Sequence, residues 1–290
     1  MAYDSQFDHP AGEIDQPRPE AAGPELVAHE PVVRFENVSI RFDGPPVLDN
    51  VSFRVAPRET RILLGPAGVG KSVLLKLANG LLRPDSGRIF LFGQEITAMP
   101  EHELLPLRIR TGMVFQEGAL FDSLTVRDNV GYQLMEQHAA VDEVDQRVRE
   151  ALRFVELEHT YDMLPASLSG GMRRRVAIAR AIIDKPELLL YDSPTGGLDP
   201  VTSTTIDELI IKERDVYRTP AILVTHRLQD AFTMATHRFD STTNQMIPLP
   251  HDQTNQDTSF LVLHEAKILF DGATEGLVSS QDPFIKEFLA

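Results

Sequence analysis

Residues 65–72 have the composition of a phosphate-binding loop. They read GPAGVGKS, which fits the pattern G-x-x-x-x-G-K-[ST], and they lie between a strand pattern and a helix pattern. Glycines let successive backbone N–H groups turn towards one anion, and the helix N-terminus adds positive charge. Lys71 is expected to reach the β- and γ-phosphates of a nucleotide, and the Ser72 hydroxyl to bind Mg²⁺. The alternative is a glycine-rich turn that merely reverses the chain. The predicted contacts are Gly65, Pro66, Ala67, Gly68, Val69, Gly70, Lys71 and Ser72.

The second candidate group is the carboxylate of Asp192, which ends the apolar stretch ELLLYD. This stretch predicts a buried strand, and α/β sheets bind their ligands at the carboxyl ends of strands. A nucleotide site needs a group that holds the metal and orders the attacking water. Together with the phosphate loop, Asp192 is predicted to be that group, although an aspartate that simply ends a strand is commoner when the pattern stands alone.

The third candidate is LSGGM, which contains Ser169, Gly170 and Gly171 and precedes the helical pattern RRRVAIARAII. A helix N-terminus with bare N–H groups attracts an anion. Read alone, the motif is equally compatible with an ordinary N-cap serine.

Strand and helix patterns must position these groups. Two β-rich runs around the turn at residues 43–46 predict an antiparallel opening. The later strand patterns at 187–192 and 221–225 are each followed by a helical segment, which predicts parallel βα units and an α/β fold. Residues 117–180 are predicted to be mostly helical, with one apolar stripe. Its members are Val141, Val144, Val148, Leu152 and Val155.

Two segments are predicted to lie outside the core. Residues 1–30 contain seven acidic residues, one arginine and four prolines, which is typical of a disordered tail. Residues 241–258 are mostly polar and lack periodicity, so we interpret them as an inserted surface loop.

Composition excludes several classes of protein. The chain has no cysteine, which removes disulfides, zinc-cysteine sites and cysteine nucleophiles. Its formal net charge of −15 argues against nucleic acid as a partner. No apolar run is long enough to span a membrane, and the N-terminus lacks the features of a signal peptide. The default expectation is a soluble cytoplasmic protein.

The order of the three motifs resembles the nucleotide-binding subunit of ABC transporters, and the resemblance extends from Pro31 to Ala290. It implies a P-loop NTPase fold of the ABC type, with a RecA-like core, an antiparallel β subdomain and a helical subdomain at about 117–180. It also implies ATP and Mg²⁺ as cofactors and hydrolysis of ATP.

The same resemblance assigns four further residues. Gln116 corresponds to the Q-loop glutamine that touches Mg²⁺ and senses the membrane subunit, and Asp199 to the D-loop aspartate. His226 corresponds to the switch histidine at the γ-phosphate, and Phe42 to the aromatic that stacks on adenine. Without the family, Gln116 is a polar strand end, His226 a capped or solvated histidine, and Phe42 a core residue.

Within the family, FQEGALF, the methionine of LSGGM and the ending DPFIKEFL are similar to the Mla and Mce lipid-transport ATPases. This implies a homodimer bound to two multi-pass permease subunits at the cytoplasmic face of the inner membrane, with Mce-type accessory proteins, moving phospholipid or another hydrophobic molecule. The alternatives are the ATPase of a small-solute importer and a soluble ABC ATPase of DNA repair or translation. A single set of motifs, the absence of heptads and the acidic charge disfavour the soluble ATPase.

One position departs from the family pattern. Ser193 follows Asp192 where most of these ATPases have the glutamate that polarises the attacking water. General-base assistance is worth about 10²- to 10⁴-fold in rate. Three accounts remain open: slow hydrolysis through His226, Gln116 and phosphate positioning; another carboxylate, such as Glu117 or Asp199; or a regulatory subunit without turnover. We predict weak ATPase activity. The predicted catalytic residues are Lys71, Gln116, Asp192, Ser193 and His226.

Overall fold

The computed structural model describes residues 30–290, so the predicted acidic tail, apart from Glu30, lies outside the described residues. Two main sheets and a set of helices make up this range. The strands are β1 (Val33–Arg41), β2 (Pro46–Val55), β3 (Thr60–Leu64), β4 (Ser86–Leu91), β5 (Gln94–Glu95), β6 (Thr111–Val114), β7 (Leu188–Asp192), β8 (Ala221–Val224), β9 (His237–Asp240), β10 (Gln245–Pro248), β11 (Thr258–His264) and β12 (Lys267–Ala273). The helices are α1 (Lys71–Ala78), α2 (Glu101–Ile109), α3 (Val126–Glu136), α4 (Val141–Phe154), α5 (Gly170–Ile182), α6 (Pro200–Tyr217), α7 (Leu228–Thr236), α8 (Thr274–Val278) and α9 (Pro283–Leu289), with short 3₁₀ helices at Glu158–Thr160 and Pro165–Ser167.

The central sheet has six strands in the order β12-β11-β3-β8-β7-β6. The strands are parallel from β11 to β6, and β12 pairs antiparallel with β11 at one edge. Every residue of β3, β7 and β8 is buried, which explains why these strands are nearly continuous apolar runs in the sequence. The parallel units predicted from the sequence are confirmed.

The carboxyl ends of four central strands lie along one edge of this sheet. Leu63 near the end of β3 pairs with Val224 at the end of β8, and Val224 pairs with Asp192 at the end of β7. Strand β6 joins β7 in the same parallel direction. The loops after β3, β6, β7 and β8 therefore begin side by side, at the edge where α/β sheets bind ligands.

The second main sheet is antiparallel, with the order β2-β1-β4-β5, as the turn at residues 43–46 predicts. The rings of Phe35 and Phe53 stack across β1 and β2 with their centroids 4.6 Å apart. Helix α1 lies in a hydrophobic cluster that contains residues of both sheets. This helix ends at Ala78, earlier than its apolar pattern suggests, because Gly80 adopts a left-handed φ of 62° just beyond it.

Helices α3, α4 and α5 pack together around one core cluster. The predicted stripe on α4 is buried at Val144, Val148 and Leu152, and Val155 just after the helix is also buried. Val141, predicted on the same stripe, is 66% exposed. It is the first residue of the helix, and helical side chains tilt towards the N-terminus, so its side chain projects beyond the helix start.

The stretch at 241–258 that we interpreted as a surface loop contains the second strand of a β-hairpin. Strand β10 pairs antiparallel with β9, so that Met246 lies opposite Phe239. Phe239 is buried in the main core, and Met246 packs against that core. A four-residue strand among polar residues is too short to give recognisable alternation, which explains why the interpretation as a loop was wrong at 245–248. Residues 249–257 contain neither strand nor helix.

The buried side chain of Arg214 on α6 holds the hairpin in place. The guanidinium donates hydrogen bonds to the carbonyl oxygens of Met234 and His237, the latter at 2.8 Å. Asp215 forms an ion pair with Arg214 at 2.7 Å and accepts a hydrogen bond from the N–H of Phe239 at 2.7 Å. One arginine thus connects α6 to the end of α7 and to the start of β9.

The Arg214→Met substitution is expected to lower the free energy of unfolding by roughly 2–4 kcal/mol, because two buried carbonyls and the carboxylate of Asp215 lose their partner. Arg238→Met is the control, since Arg238 lies exposed on the same hairpin, and its effect should stay below about 0.5 kcal/mol. Urea unfolding followed by circular dichroism measures both. Equal losses in the two variants would contradict this role of Arg214.

Candidate nucleotide-binding site

The loop at 65–72 is packed too tightly for side chains at two of its glycines. Gly65 and Gly70 have φ angles of 148° and 106°. A Cβ on Gly65 would stand 2.5 Å from the carbonyl oxygen of Leu263, and one on Gly70 would stand 2.8 Å from Cγ1 of Val47. Close contact with β11 and β2 therefore requires glycine at both positions.

The side chain of Lys71 folds back onto this loop. Its Nζ donates hydrogen bonds to the carbonyl oxygens of Gly65 at 2.7 Å and Pro66 at 2.6 Å. Burial lowers the pKa of the Lys71 ammonium, and the charge of Asp192 acts in the opposite direction. An ammonium has three N–H donors, so one remains for an anion held by the loop.

Ser72 and Asp192 lie together. The Ser72 hydroxyl donates a hydrogen bond to Oδ1 of Asp192 across 2.9 Å, which joins the start of α1 to the end of β7. A hydroxyl and a carboxylate are oxygen ligands that suit Mg²⁺, whose remaining ligands are usually waters and substrate phosphates. The pair therefore fits this ion, and residues 30–290 contain no cluster of three His, Asp or Glu side chains that would form an all-protein metal site.

Ser193 begins a tight turn directly after Asp192. Its φ of 47° lies in the left-handed region. Its N–H donates to the carbonyl of Val224 and its carbonyl accepts from the N–H of Gly196, both at 2.9 Å. Ser193 is buried, and its hydroxyl has no basic form near neutral pH. The position expected for a general base therefore carries no carboxylate.

Gln116 and His226 follow β6 and β8 at the same sheet edge. Nε2 of Gln116 lies 3.6 Å from the point where a Cβ on Gly196 would stand. The amide therefore lies beside the turn that Ser193 begins. His226 is exposed and comes two residues after Val224, the end of β8.

Phe42 lies in the turn between β1 and β2 and is 51% exposed. This exposure argues against the alternative in which Phe42 is a core residue. The same turn leads into β2, where Val47 lies next to Gly70 of the phosphate loop. An exposed aromatic ring near a phosphate loop is available to stack on a nucleotide base.

Ser169 caps helix α5, because its hydroxyl oxygen accepts a hydrogen bond from the N–H of Met172 at 3.2 Å. A Cβ on Gly171 would overlap Cγ2 of Thr202, so helices α5 and α6 approach closely at this glycine. Among residues 30–290, no hydrogen bond joins Ser169, Gly170 or Gly171 to the phosphate loop. The motif therefore caps α5 and allows α5 and α6 to approach closely.

Asp199 caps helix α6. Its carboxylate accepts hydrogen bonds from the N–H of Thr202 at 3.0 Å and from the hydroxyl of Thr202 at 2.6 Å. These two bonds lower the pKa of the Asp199 carboxyl group. A lowered pKa makes a carboxylate a weaker base, which argues against Asp199 as a substitute for the missing glutamate.

The sequence of the chain matches the family model described as ABC transporter over residues 48–196, slightly more than half of the chain. It is 35% identical over 267 residues to Protein TRIGALACTOSYLDIACYLGLYCEROL 3, chloroplastic, of Arabidopsis thaliana, covering 89% of this chain and 73% of that protein. It is 30% identical over 259 residues to the Intermembrane phospholipid transport system ATP-binding protein MlaF of Haemophilus influenzae, covering 89% and 90%. Identity with the Methionine import ATP-binding protein MetN of Rhizobium etli is 42% over 217 residues, covering 74% and 58%.

Solved structures share the fold. The dimeric post-hydrolysis state of the ATP-binding cassette MJ0796 bound to ADP and Pi matches with a TM-score of 0.70 and 26% identity, covering 83% of this chain and 98% of that chain. This likeness confirms the fold predicted from the sequence.

A buried polar cluster behind the site was not predicted from the sequence. The hydroxyl of Thr195 donates a hydrogen bond to Asp230 on α7, and Arg227 forms an ion pair with Asp230 at 3.4 Å. Burial, together with the charge of Asp230, raises the pKa of Asp207 on α6 to about 8. Aspartates within helical patterns look like solvated residues, so the sequence carried no signal for this cluster.

Asp207 is expected to make the protein less stable as the pH rises. Its pKa rises from 3.8 to about 8 on folding, so the native state holds the extra proton between these values. The stability that this proton gives the native state is complete below about pH 4 and is lost towards pH 8. The free energy of unfolding falls by up to about 1.4 kcal/mol per pH unit over this range. Asp207→Asn should therefore flatten the fall in Tm between about pH 5 and pH 8.

Thermal unfolding at several pH values measures this slope. Glu208→Gln is the control. Glu208 is the next residue, and glutamine can still accept the hydrogen bond that the N–H of Met246 donates to the carboxylate at 3.2 Å. This variant should keep the pH dependence of the unsubstituted protein. A Tm profile of Asp207→Asn that follows the unsubstituted protein would refute the assignment.

Proposed function

The chain belongs to the ABC transporter family of ATP-binding subunits, and we propose that it uses ATP and Mg²⁺ at this sheet edge to power a membrane transporter. The hydrogen bond between Ser72 and Asp192 carries this proposal. It joins the phosphate loop to the carboxylate of Asp192 at the end of β7, beside the ammonium of Lys71.

Most of the predicted residues take a role in this proposal. The N–H groups of the phosphate loop and Lys71 bind the phosphates, and Phe42 stacks on the base. Ser72, Asp192 and Gln116 hold Mg²⁺, which supplies charge neutralisation at the phosphates when bound. His226 contacts the γ-phosphate from the end of β8.

We expect hydrolysis to be weak in the isolated chain because Ser193 cannot accept a proton. Phosphoryl transfer depends largely on positioning and electrostatics, which the remaining residues supply. Of the two carboxylates considered as substitutes, Asp199 has a lowered pKa and is occupied as a helix cap. Glu117 is exposed and follows Gln116, so it stays a candidate.

The proposed assembly is a homodimer in which each ATP lies between residues 65–72 of one copy and residues 169–171 of the other. Its support is that no hydrogen bond joins the two motifs within residues 30–290 of one copy, together with the dimeric structure of the related cassette MJ0796. Neither face completes the site alone. ATP would then join the copies, and hydrolysis or release would separate them.

We propose that multi-pass permease subunits bind beside Gln116. Phe121 and Tyr132 are 46% and 39% exposed there, and their rings lie 4.9 Å apart. They line a groove of about 280 Å³ together with Phe115 and Arg180. Exposed apolar side chains in a groove are typical of a binding surface.

No helix within residues 30–290 is both long enough and apolar enough to cross a membrane. Attachment through permease subunits would therefore place the chain peripherally, and we propose the cytoplasmic face of an inner membrane. Mce-type proteins are the proposed accessory partners.

Phospholipid or another hydrophobic molecule is the proposed cargo. The support is that the alignment with MlaF covers 90% of that protein, whose name states intermembrane phospholipid transport. Import of a small solute is the second candidate, because identity with MetN is higher, at 42%. The chain spans 58% of the length of MetN, so this likeness covers less of the relative.

The ATPase rate of the assembled transporter separates the two cargoes. A rate raised by phospholipid would support lipid transport, and a rate raised by methionine would support import of a small solute.

The rate of Mg-ATP turnover tests the role of Ser193. Ser193→Glu supplies the missing carboxylate and is expected to raise kcat by at least about tenfold, since a general base contributes about 10²- to 10⁴-fold. Ser193→Gln is the matched control, because glutamine has nearly the same size but no basic carboxylate. Lys71→Ala should abolish turnover, which identifies background activity.

The outcomes of this measurement separate the alternatives. A rate in Ser193→Glu that stays within a factor of two of the unsubstituted protein would show that this serine does not limit hydrolysis. Turnover restricted to Ser193→Glu, with and without the co-purified membrane partner, would instead indicate a nucleotide-gated subunit that has lost hydrolysis.

Ser169→Arg is expected to prevent ATP-dependent dimerisation, because a bulky cation would occupy the face that contacts the nucleotide of the other copy. Ser241→Arg is the control, since Ser241 is exposed in the turn of the β9–β10 hairpin. Sedimentation velocity with and without ATP measures the dimer fraction. A normal dimer of Ser169→Arg would refute the proposed arrangement.

A further inference from the structure

The buried side chain of Arg174 connects separate segments behind the site. It lies on α5, five residues after Ser169, and is 7% exposed. Its Nε donates a hydrogen bond to the carbonyl oxygen of Pro194 at 3.0 Å. Its two terminal nitrogens donate to the carbonyl oxygens of Gly196 at 2.9 Å and Phe115 at 3.4 Å.

These carbonyls belong to the two segments that carry candidate catalytic residues. Phe115 immediately precedes Gln116, whereas Pro194 and Gly196 belong to the turn that Ser193 begins. One side chain therefore spans from the loop after β6 to the loop after β7. Because the same side chain belongs to α5, it also connects both loops to the helix that Ser169 caps.

The chemistry of arginine suits this connection. A guanidinium is planar and presents its donors in a fixed fork, so several acceptors are held at set angles to one another. All three hydrogen bonds of Arg174 go to backbone carbonyls, which restrains the main chain of both loops. Burial lowers the pKa of Arg174, and the negative charge of Glu117 acts in the opposite direction. The side chain stays charged, because an arginine does not lose its proton in proteins.

Another arginine of the same helix holds the far side of the Gln116 loop. Arg180 donates to the carbonyl oxygens of Gly118 and Ala119, both at 2.7 Å. The loop is thus bound to α5 at both ends. The turn after Ser193 is joined to α5 through Arg174.

We propose that Arg174 is a positioning residue that fixes the Gln116 loop and the Ser193 turn relative to each other, so that displacement of either loop moves the other. This inference rests on the proposed function for its catalytic consequence. The mechanical connection itself does not depend on hydrolysis, and it can be measured separately.

Hydrogen exchange measured by mass spectrometry on the full chain tests the connection. Arg174→Met keeps an unbranched side chain in the same buried space but removes every donor. Exchange of the backbone N–H groups is expected to rise by at least about tenfold in the peptides covering 115–119 and 193–198 together, because loops that lose this restraint open more often and expose those groups to water. The Arg174→Lys variant keeps the charge with a single flexible ammonium, and a smaller rise in both peptides is expected.

Arg175→Met is the matched control. Arg175 is the next residue on α5, burial also lowers its pKa, and it donates to the carbonyl oxygen of Val155 at 3.1 Å, away from both loops. This variant should leave the exchange of peptides 115–119 and 193–198 within twofold of the unsubstituted protein. Arg174→Lys keeps the experiment decisive if Arg174→Met does not fold.

The catalytic consequence is that Arg174→Met should lower kcat without changing the Kd for ATP. Arg174 makes no hydrogen bond to the phosphate loop, so the Kd for ATP should stay within about twofold, whereas kcat should fall about tenfold or more because catalytic groups are misplaced. Arg175→Met should change neither value by more than about twofold.

Three results would overturn the proposal. They are increased exchange in only one of the two peptides, equal increases in the variants of Arg174 and Arg175, and a Kd for ATP that rises as much as kcat falls. If the unsubstituted protein shows no turnover, the proposed hydrolysis fails while the exchange experiment still tests the connection.

Discussion

The structure depends on the parallel register of four buried strands, β3, β8, β7 and β6. This register places the loops after the strands at one edge, although the phosphate loop and Asp192 are more than a hundred residues apart in the chain. Every residue of β3, β7 and β8 is buried, so a slip of one residue would exchange the side chains that pack on the two faces of a strand and disrupt the packing on both. Burial therefore specifies the register, and the register brings the hydroxyl of Ser72 to the carboxylate of Asp192.

Backbone carbonyls are the second means by which the site is held together. Arg174 and Arg180 donate from α5 to main-chain oxygens of the neighbouring loops, and Arg214 donates from α6 to those of Met234 in α7 and His237 in β9. Such bonds do not depend on the side chain of the residue that accepts them. The surrounding loops can therefore change in sequence, as at Ser193, while their paths are retained.

Much of the fold and part of the site could be predicted from the sequence. The phosphate loop and Asp192 are recognisable because their residue types follow from local geometry next to long apolar strands. Arg174 gave no such signal, since an arginine in a helical pattern normally faces solvent, and its burial results from contact with loops distant in sequence. The β9–β10 hairpin was missed because its pairing depends on Phe239 reaching the core and on Arg214 holding its base.

The close approach of Gly171 to Thr202 restricts how the two helices can evolve. Since a Cβ at position 171 would overlap the methyl group of Thr202, a side chain at residue 171 requires residue 202 to shift or to become smaller. Thr202 also donates to Asp199 from its N–H and its hydroxyl, so shrinking it would weaken the cap of α6. Compensating changes at these positions must therefore occur together, and related sequences should show residues 171, 199 and 202 varying as one group.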